Sequence, residues 1–368
     1  MTPARCLTVL VGAALAAAPV LARAQDSQFG IAGLGTPGRW ESIGARTGAG
    51  AFAAFDPTST LTEAALVEIR TLTASWGWGA TYRQVEAPGT STWLRGTRYP
   101  LFTVGGPLVK RLFVSGGYST YLDQSYKVVT RDSVLLRGVM QPYTDAIASD
   151  GGVADIRFAA AGRLGPHLAL GVGLHLLAGS TRMSATRTFD DTAAYLTAPQ
   201  TGTLRYSGQG VSASVLLSVT RTLSVAALAR RDNHLNAYVG DSVVAHSELP
   251  ATLGGAVRWV PVPSARIAGS VLWRSWSRAG SNAFDTVNWS AGLELGRITP
   301  FRVGVRGGQL PFGGAGGAPT ELGVAVGSTR MVANGRGFLD VGLERLARDG
   351  GTVHERVWTV LLGLTIRP

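Results

Sequence analysis

The chain has 368 residues, 45% of them hydrophobic, with a mean hydropathy of +0.17 and a formal charge of +11. Its basic residues are scattered arginines, Lys110 and Lys127 being the only lysines. Because no cluster of basic residues of the kind that binds a phosphate backbone occurs, we expect no nucleic-acid partner.

Residues 1–24 predict a cleaved export signal. Arg5 precedes an apolar run over residues 7–21, and Ala22-Arg23-Ala24 is a small-residue cleavage site. The run is about 15 residues long, shorter than the ~20 that a spanning helix needs. Cleavage would remove Cys6, the only cysteine, so the mature protein would have no disulfide or thiol chemistry.

The next stretch places Gly33, Gly35 and Gly38 in the G-x-G-x-x-G spacing of dinucleotide-binding loops. That fingerprint needs a buried strand before it and a helix that begins at its last glycine. Residues 28–32 are not an apolar strand, and Pro37 interrupts the turn. We therefore expect another reason for these glycines than phosphate binding.

Residues 25–66 are assigned as a small plug segment. Small residues at 44–54 allow the backbone to pack closely against a wall, and residues 62–68 predict a short helix capped by Thr60 or Thr62. Since the segment lies between the export signal and the first long strand, we predict that it folds into the lumen of a barrel. The candidate plug residues are Gly44, Arg46, Gly48, Gly50 and Asp56.

Residues 67–368 show an apolar residue at every second position. Leu253 and Val257 share one strand face, for example, whereas Thr252 and Arg258 share the other. Such segments run for about 10 to 16 residues, long enough to cross a ~25 Å apolar band at a tilt. Fourteen of them can be placed, and an even number closes without a free edge. The predicted fold is all-β, a 14-stranded antiparallel transmembrane β-barrel with the plug inside.

Tight and long connections alternate along the predicted barrel. Residues 165–166 and 220–222 are tight, whereas 127–152, 188–200 and 239–245 are long and polar. This alternation is typical of short periplasmic turns and long external loops. A secreted β-sandwich or β-helix is the alternative.

The segment GARTGAGAFAAFDPTSTLTEAAL, residues 44–66, resembles the N-terminal hatch of the FadL-type long-chain fatty acid transporters (the OmpP1/FadL/TodX family). Residues 206–231 and 249–277 are similar to two hairpins of that family. The chain departs from the family at Thr62-Glu63-Ala64, where the family has Asn-Pro-Ala, and in ending on Pro368 rather than on an aromatic residue.

The resemblance implies an outer-membrane channel for long-chain fatty acids or other hydrophobic small molecules. It also implies release when the plug shifts, and a side exit at a kink in the third strand. Gly116 and Gly117 lie in the predicted third strand, where paired glycines permit a bend, so we expect the lateral opening there.

Cations that face the predicted lumen are candidates for binding an anionic headgroup. They are Arg258, Arg274, Arg302 and Arg306, together with His175. The alternatives are ion pairs across neighbouring strands for the arginines and a hydrogen-bonded lumen residue for the histidine. The carboxylates available for such pairs are Glu294, Asp340 and Glu344.

We expect neither a cofactor nor catalysis, because no histidine lies near a G-x-S-x-G motif. No metal site is predicted, although calcium at Asp190-Asp191 or Asp232-Asn233-His234 stays open. The expected partners are outer-membrane lipid, lipopolysaccharide and a hydrophobic ligand. A general small-solute porin and a non-transporting scaffold or secretion partner are the alternative functions.

Overall fold

The computed structural model describes residues 27–87, 90–192, 194–313 and 317–368, so the predicted export signal lies outside the described residues. The described strands are β1 (Thr36–Pro37), β2 (Thr73–Ala87), β3 (Thr90–Val109), β4 (Leu112–Asp123), β5 (Tyr126–Leu136), β6 (Val139–Arg163), β7 (Leu168–Phe189), β8 (Ala198–Ser218), β9 (Leu223–Asp232), β10 (His234–Val239), β11 (Ser242–Glu248), β12 (Ala251–Val262), β13 (Ala265–Arg274), β14 (Thr286–Leu295), β15 (Phe301–Gln309), β16 (Thr320–Val332), β17 (Gly337–Asp349) and β18 (His354–Ile366).

The helices are short. They are α1 (Ile43–Arg46) and the 3-10 helices Gln28–Gly30, Ala53–Phe55, Ala64–Glu68, Trp276–Ala279 and Ala333–Gly335. No helix in the described ranges has the length and apolar character to cross a membrane.

The strands β2 to β18 form one closed antiparallel barrel. The first and last of them, β2 and β18, pair along their whole length. Three wall strands are each interrupted once: β4 and β5 both pair with β6, β9 and β10 both pair with β8, and β11 continues into β12. The wall therefore has fourteen strands, which confirms the predicted barrel.

Alternate side chains point to the two sides of this wall. Val172 is 61% exposed and Leu253 51%, whereas the neighbouring Thr252 and Ala256 are buried inside. Large apolar side chains are exposed on strands all around the outer face, far more than a water-soluble surface carries. The outer face is thus suited to hydrocarbon and the inner face to polar groups.

One predicted loop is a hairpin. Residues 127–152 were expected as a long polar link, but β5 and β6 pair through them and turn at Arg137-Gly138. Both faces of β5 are largely exposed. Over residues 127–152 the backbone hydrogen bonds between strands continue, but the alternation of apolar and polar residues stops. Because the predicted strand bounds depended on that alternation, this hairpin was predicted as a loop.

Residues 27–72, called the N-terminal segment below, pack against inward-facing residues of the wall. Helix α1 contacts β16, β17 and β18, and the 3-10 helix Ala64–Glu68 contacts β6, β7 and β8. Near its start, Ser27 donates to Glu355 of β18 at 2.9 Å. The first wall strand begins at Thr73, so the segment extends beyond the predicted boundary at residue 66.

Candidate functional site

A row of glycines in the wall seats the N-terminal segment. Ile43, Thr47 and Gly48 lie on three successive cross-strand glycine pairs. A methyl group added at Gly342 would lie 2.5 Å from Thr47 Cγ2, so only glycine leaves room for this contact. The pairs are Gly77–Gly363, Gly327–Gly342 and Gly292–Gly304.

An ion-pair cluster holds the segment on β17. Arg46 donates to Glu344 at 2.6 Å, and Arg39 donates both to Glu344 and to Glu41, the latter at 3.1 Å. Burial by itself would raise the pKa of Glu41, but the positive charges of Arg39, Arg306 and Arg46 outweigh it and lower that pKa to about 2. Glu41 is therefore ionised over the whole physiological range.

The other predicted plug residues shape the backbone of the segment. Gly44 lies against the carboxylate of Asp340, and Gly50 ends the turn after α1 with a φ of +90°. Asp56 accepts hydrogen bonds from the amide of Thr58 at 2.9 Å and from Ser42. These contacts give the segment a defined conformation against the wall.

A second set of contacts, called the Glu63 cluster, joins the segment to β6, β7 and β8. The carboxylate of Glu63 accepts hydrogen bonds from Ser212 at 2.7 Å and Ser214 at 2.8 Å. Ser214 in turn accepts from the amides of Glu63 and Ala64, both at 2.9 Å. Ser214 thus caps the 3-10 helix Ala64–Glu68, a role that the sequence analysis assigned to Thr60 or Thr62. Thr60 and Thr62 instead donate hydrogen bonds to backbone carbonyls within the segment.

The cluster also contains Asp155, Arg157 and His175. His175 is 1% exposed; its Nδ1 lies 2.9 Å from both oxygens of Asp155, and its Nε2 lies 2.8 Å from Ser212 Oγ. A nucleophile, a base and an orienting carboxylate are linked in this order in hydrolytic triads. Here, however, Ser212 donates to Glu63, so the hydroxyl is engaged in holding the segment rather than free for attack.

An aromatic and ionic stack continues from this cluster. Arg230 donates to Asp155 at 2.5 Å and to Asp232 at 2.8 Å, and its guanidinium lies over the ring of Trp40. Tyr121 donates to Asp232 at 2.9 Å. Asp232, one of the positions left open for calcium, is the last residue of β9, and its side chain is buried in the lumen.

The predicted lumen arginines differ in their partners. Arg302 pairs with Glu294 at 2.6 Å, and Arg306 pairs with Glu321. For these two the structure favours the ion-pair interpretation over a free ligand site.

Arg258 and Arg274 are less well paired. Arg258 reaches Glu68 only at 3.8 Å. Arg274 forms no ion pair among the described residues; its buried Nε has no hydrogen-bond partner there, and its guanidinium lies 4.5 Å from the ring centroid of Trp40. An unpaired buried guanidinium attracts an anion.

Arg274 lines a cavity of about 110 Å³ between the N-terminal segment and strands β9 and β12 to β17. Pro37, Gly38 and Trp40 bound the cavity on the side of the segment. The wall side contributes apolar side chains that include Leu228, Leu272 and Leu310. The cavity thus combines apolar side chains and the guanidinium of Arg274, which forms no ion pair in the described part of the chain, with charged groups that include Glu41, Arg306 and Glu321.

The wall is incompletely paired between β3 and β4, which contribute no lining residue to this cavity. The ladder between β3 and β4 ends at Leu101 and Ser119, and beyond it no described residue of β3 pairs with β4 or β5. This region is called the wall gap below. The Arg98 guanidinium crosses it to Asp123 at 2.9 Å. Pro100, which lacks an amide donor, lies at the point where β3 loses its partner.

Strand β1 of the N-terminal segment takes the place of the missing neighbour. Pro37 pairs with Leu122, and the amide of Gly38 donates to the carbonyl of Tyr121 at 2.8 Å. A Cβ atom at Gly38 would lie 1.9 Å from the Thr120 carbonyl oxygen. Gly38, the last glycine of the G-x-G-x-x-G spacing, is therefore required because two backbones approach each other closely at this position.

Gly116 and Gly117, the predicted site of the lateral opening, are paired on both sides. Gly116 lies opposite Val104 and Phe158, and the ladder passes through both glycines without a register shift. The edge of the third wall strand that has no partner in β3 begins further along β4, at Thr120.

Within the described ranges, no three His, Cys, Asp or Glu side chains are grouped so that they could hold a metal ion. Of the positions left open for calcium, Asp190 pairs with the exposed Arg131, and Asp191 accepts a hydrogen bond from the amide of Ala194 at 3.1 Å.

The fold and these contacts define a fourteen-stranded barrel whose lumen holds its own N-terminal segment. No family model matches the chain, and no curated protein matches it. Three solved structures share the fold over nearly the whole chain. The monoaromatic hydrocarbon channel CymD is 13% identical, and the match covers 91% of this chain and 98% of that chain with a TM-score of 0.58. A FadL homologue of Pseudomonas aeruginosa is 13% identical, with 90% of this chain and 99% of that chain covered and a TM-score of 0.60. The toluene transporter TodX of P. putida is 11% identical, with 92% of this chain and 99% of that chain covered and a TM-score of 0.59.

These likenesses establish a FadL-type barrel fold, as the sequence resemblance implied. At identities of 11–13% they carry no residue of a ligand site from one protein to another.

Proposed function

We propose that the chain is an outer-membrane channel for hydrophobic small molecules, long-chain fatty acids among them, and that the N-terminal segment is its plug. An exported barrel with an apolar outer face has its place in the outer membrane, in contact with lipid and lipopolysaccharide. The similar structures include a channel for monoaromatic hydrocarbons and a toluene transporter, which supports an apolar ligand. We propose no enzymatic activity.

The observation that carries this proposal is the position of β1. Pro37 and Gly38 line the cavity and at the same time pair with Leu122 and Tyr121 at the edge of the wall gap. One short strand therefore separates the cavity from the unpaired part of the wall. When it moves, a ligand in the cavity gains a path sideways into the membrane, without crossing the polar contacts beneath the segment.

Arg274 gives this cavity a preference for amphiphiles. A carboxylate would pair with its guanidinium, and the chain of the ligand would lie along Leu228 and Leu272. A neutral hydrocarbon would use the apolar lining alone.

The test is binding of a fluorescent long-chain fatty acid to the purified protein. Arg274→Gln should weaken binding at least tenfold, about 1.4 kcal/mol, because a charge-assisted hydrogen bond is lost. Arg297→Gln, in an exposed turn, is the control and should bind as the parent does. Equal affinity of parent and Arg274→Gln would remove the headgroup role. No binding of fatty acid or toluene, together with steady ion conductance, would instead indicate a porin.

A further inference from the structure

The Glu63 cluster contains a buried histidine that the proposed channel does not otherwise use. The protons in the cluster can be assigned to donors and acceptors, because each polar hydrogen is donated to one acceptor. Ser212 Oγ carries a single proton, yet it lies within hydrogen-bond distance of both Glu63 Oε1 and His175 Nε2, at 2.7 Å and 2.8 Å.

The geometry assigns that proton to Glu63. An ionised carboxylate offers only acceptors, so the short contact between Ser212 and Glu63 needs a donor from the serine. His175 Nε2 must then donate to Ser212, while Nδ1 donates to Asp155 at 2.9 Å. A ring that donates from both nitrogens is an imidazolium.

Several charged groups surround His175. The strands and the segment packed around the histidine present three carboxylates, three guanidiniums and one phenol. They are Glu63 of the segment, Asp155 and Arg157 of β6, Arg230 and Asp232 of β9, Tyr121 of β4, and Arg274 of β13, which lies over the same Trp40 ring as Arg230. The proton on His175 Nε2 is therefore assigned from the hydrogen-bond count at Ser212 alone.

We propose that His175 is a proton-linked latch for the N-terminal segment, a regulation that rests on the proposed function of that segment as a plug. With the imidazolium present, Ser212 and Ser214 both donate to Glu63 and hold the segment on β8. When His175 loses its proton, Nδ1–H stays with Asp155 and the bare Nε2 takes the Ser212 proton. Glu63 then loses one of its two hydroxyl donors.

The latch is therefore closed at low pH and loosened at high pH. Loss of one hydrogen bond to a charged group corresponds to about a tenfold change in the open fraction.

The experiment measures thiol labelling of a cysteine placed beside the latch. Ala65→Cys is suitable because Ala65 is fully buried next to Glu63 and the mature chain has no other cysteine. Its labelling rate is divided by that of Ser281→Cys, in an exposed loop, to remove the pH dependence of the thiol itself. We expect the normalised rate to rise about tenfold from pH 5.5 to pH 8.

Two variants and a control complete the test. Glu63→Gln should be labelled rapidly at every pH, and His175→Gln, which cannot titrate, should show no pH dependence. His167→Gln removes an exposed histidine and should keep the rise of the parent. Heat-modifiable gel mobility checks that each barrel is folded.

A parent rate that does not change with pH, or an unchanged rise in His175→Gln, would overturn the latch. Labelling does not depend on any ligand. If the expected profiles appear while fatty acid binding and uptake are absent, the latch stands and the proposed function fails.

Discussion

At the scale of single residues, the lumen is held together by charges that are paired between the N-terminal segment and the wall. Glu63 and Glu344 are the two principal attachment points, one on each side of the barrel. Each carboxylate is met by cations or hydroxyls from at least two elements, so that removing one partner leaves a buried group unsatisfied.

Glu41 gives a prediction for acid pH. Its pKa is lowered from an ordinary value of 4.5 to about 2, so it contributes stability above pH 4.5 that is lost as the pH falls toward 2. In a protein with Ala51→Cys, a buried reporter near Gly50, labelling should stay constant from pH 7 to 4.5 and increase below. Glu41→Gln should label several-fold faster at pH 7, and the two should converge near pH 2.

The measurement uses a dipyridyl disulfide, which reacts with thiols in acid, and the same exposed reference cysteine. If Glu41→Gln and the parent have equal rates at pH 7, Glu41 makes no contribution to holding the segment.

These residue contacts could be predicted only in part. The sequence indicated Arg302 and Glu294 as possible partners because both lie on inward faces of predicted strands. It did not indicate the Glu63 cluster, since Asp155, His175 and Ser212 come from three strands whose register the alternation leaves open. The i, i+2 spacing of Asp155 with Arg157 and of Ser212 with Ser214 was the available signal.

At the scale of elements, the wall gap and β1 are the features that distinguish this lumen from a simple pore. Fourteen strands followed from alternation and an even count. The unpaired edge did not, because it depends on where β3 leaves β4, and both strands keep an ordinary pattern there.

The pairing of β1 is tested by Gly38→Val. The added side chain would collide with the Thr120 carbonyl, since a Cβ atom there already lies 1.9 Å away, so β1 must leave the edge. Conductance in planar bilayers should rise and become unstable while the barrel stays folded.

Gly116→Val is the matched control, because a Cβ atom at Gly116 meets no atom within 4 Å. It should leave conductance and uptake unchanged. Loss of uptake in Gly116→Val would indicate that the lateral opening lies at Gly116 and Gly117 instead. Conductance equal to that of the parent in Gly38→Val would show that β1 does not seal the wall gap.

At the scale of the whole molecule, three parts lie in sequence across the lumen: a cavity with the guanidinium of Arg274, the N-terminal segment, and the stretch of wall between β3 and β4 that is unpaired. The sequence predicted the barrel and the lumenal segment because both follow from composition and periodicity. The arrangement of the three parts depends on long-range register and closure, which periodicity does not specify.

The most direct measurement is uptake of radiolabelled long-chain fatty acid by cells that produce Pro37→Cys/Leu122→Cys in place of the native chain. These residues face each other across β1 and β4, at a separation typical of disulfides, and the only cysteine of the sequence, Cys6, lies in the predicted export signal. We expect uptake in the reduced state, loss on oxidation and recovery with reductant, with each single-cysteine variant insensitive to both. Equal uptake by the oxidised and reduced forms, with the cross-link verified, would contradict it.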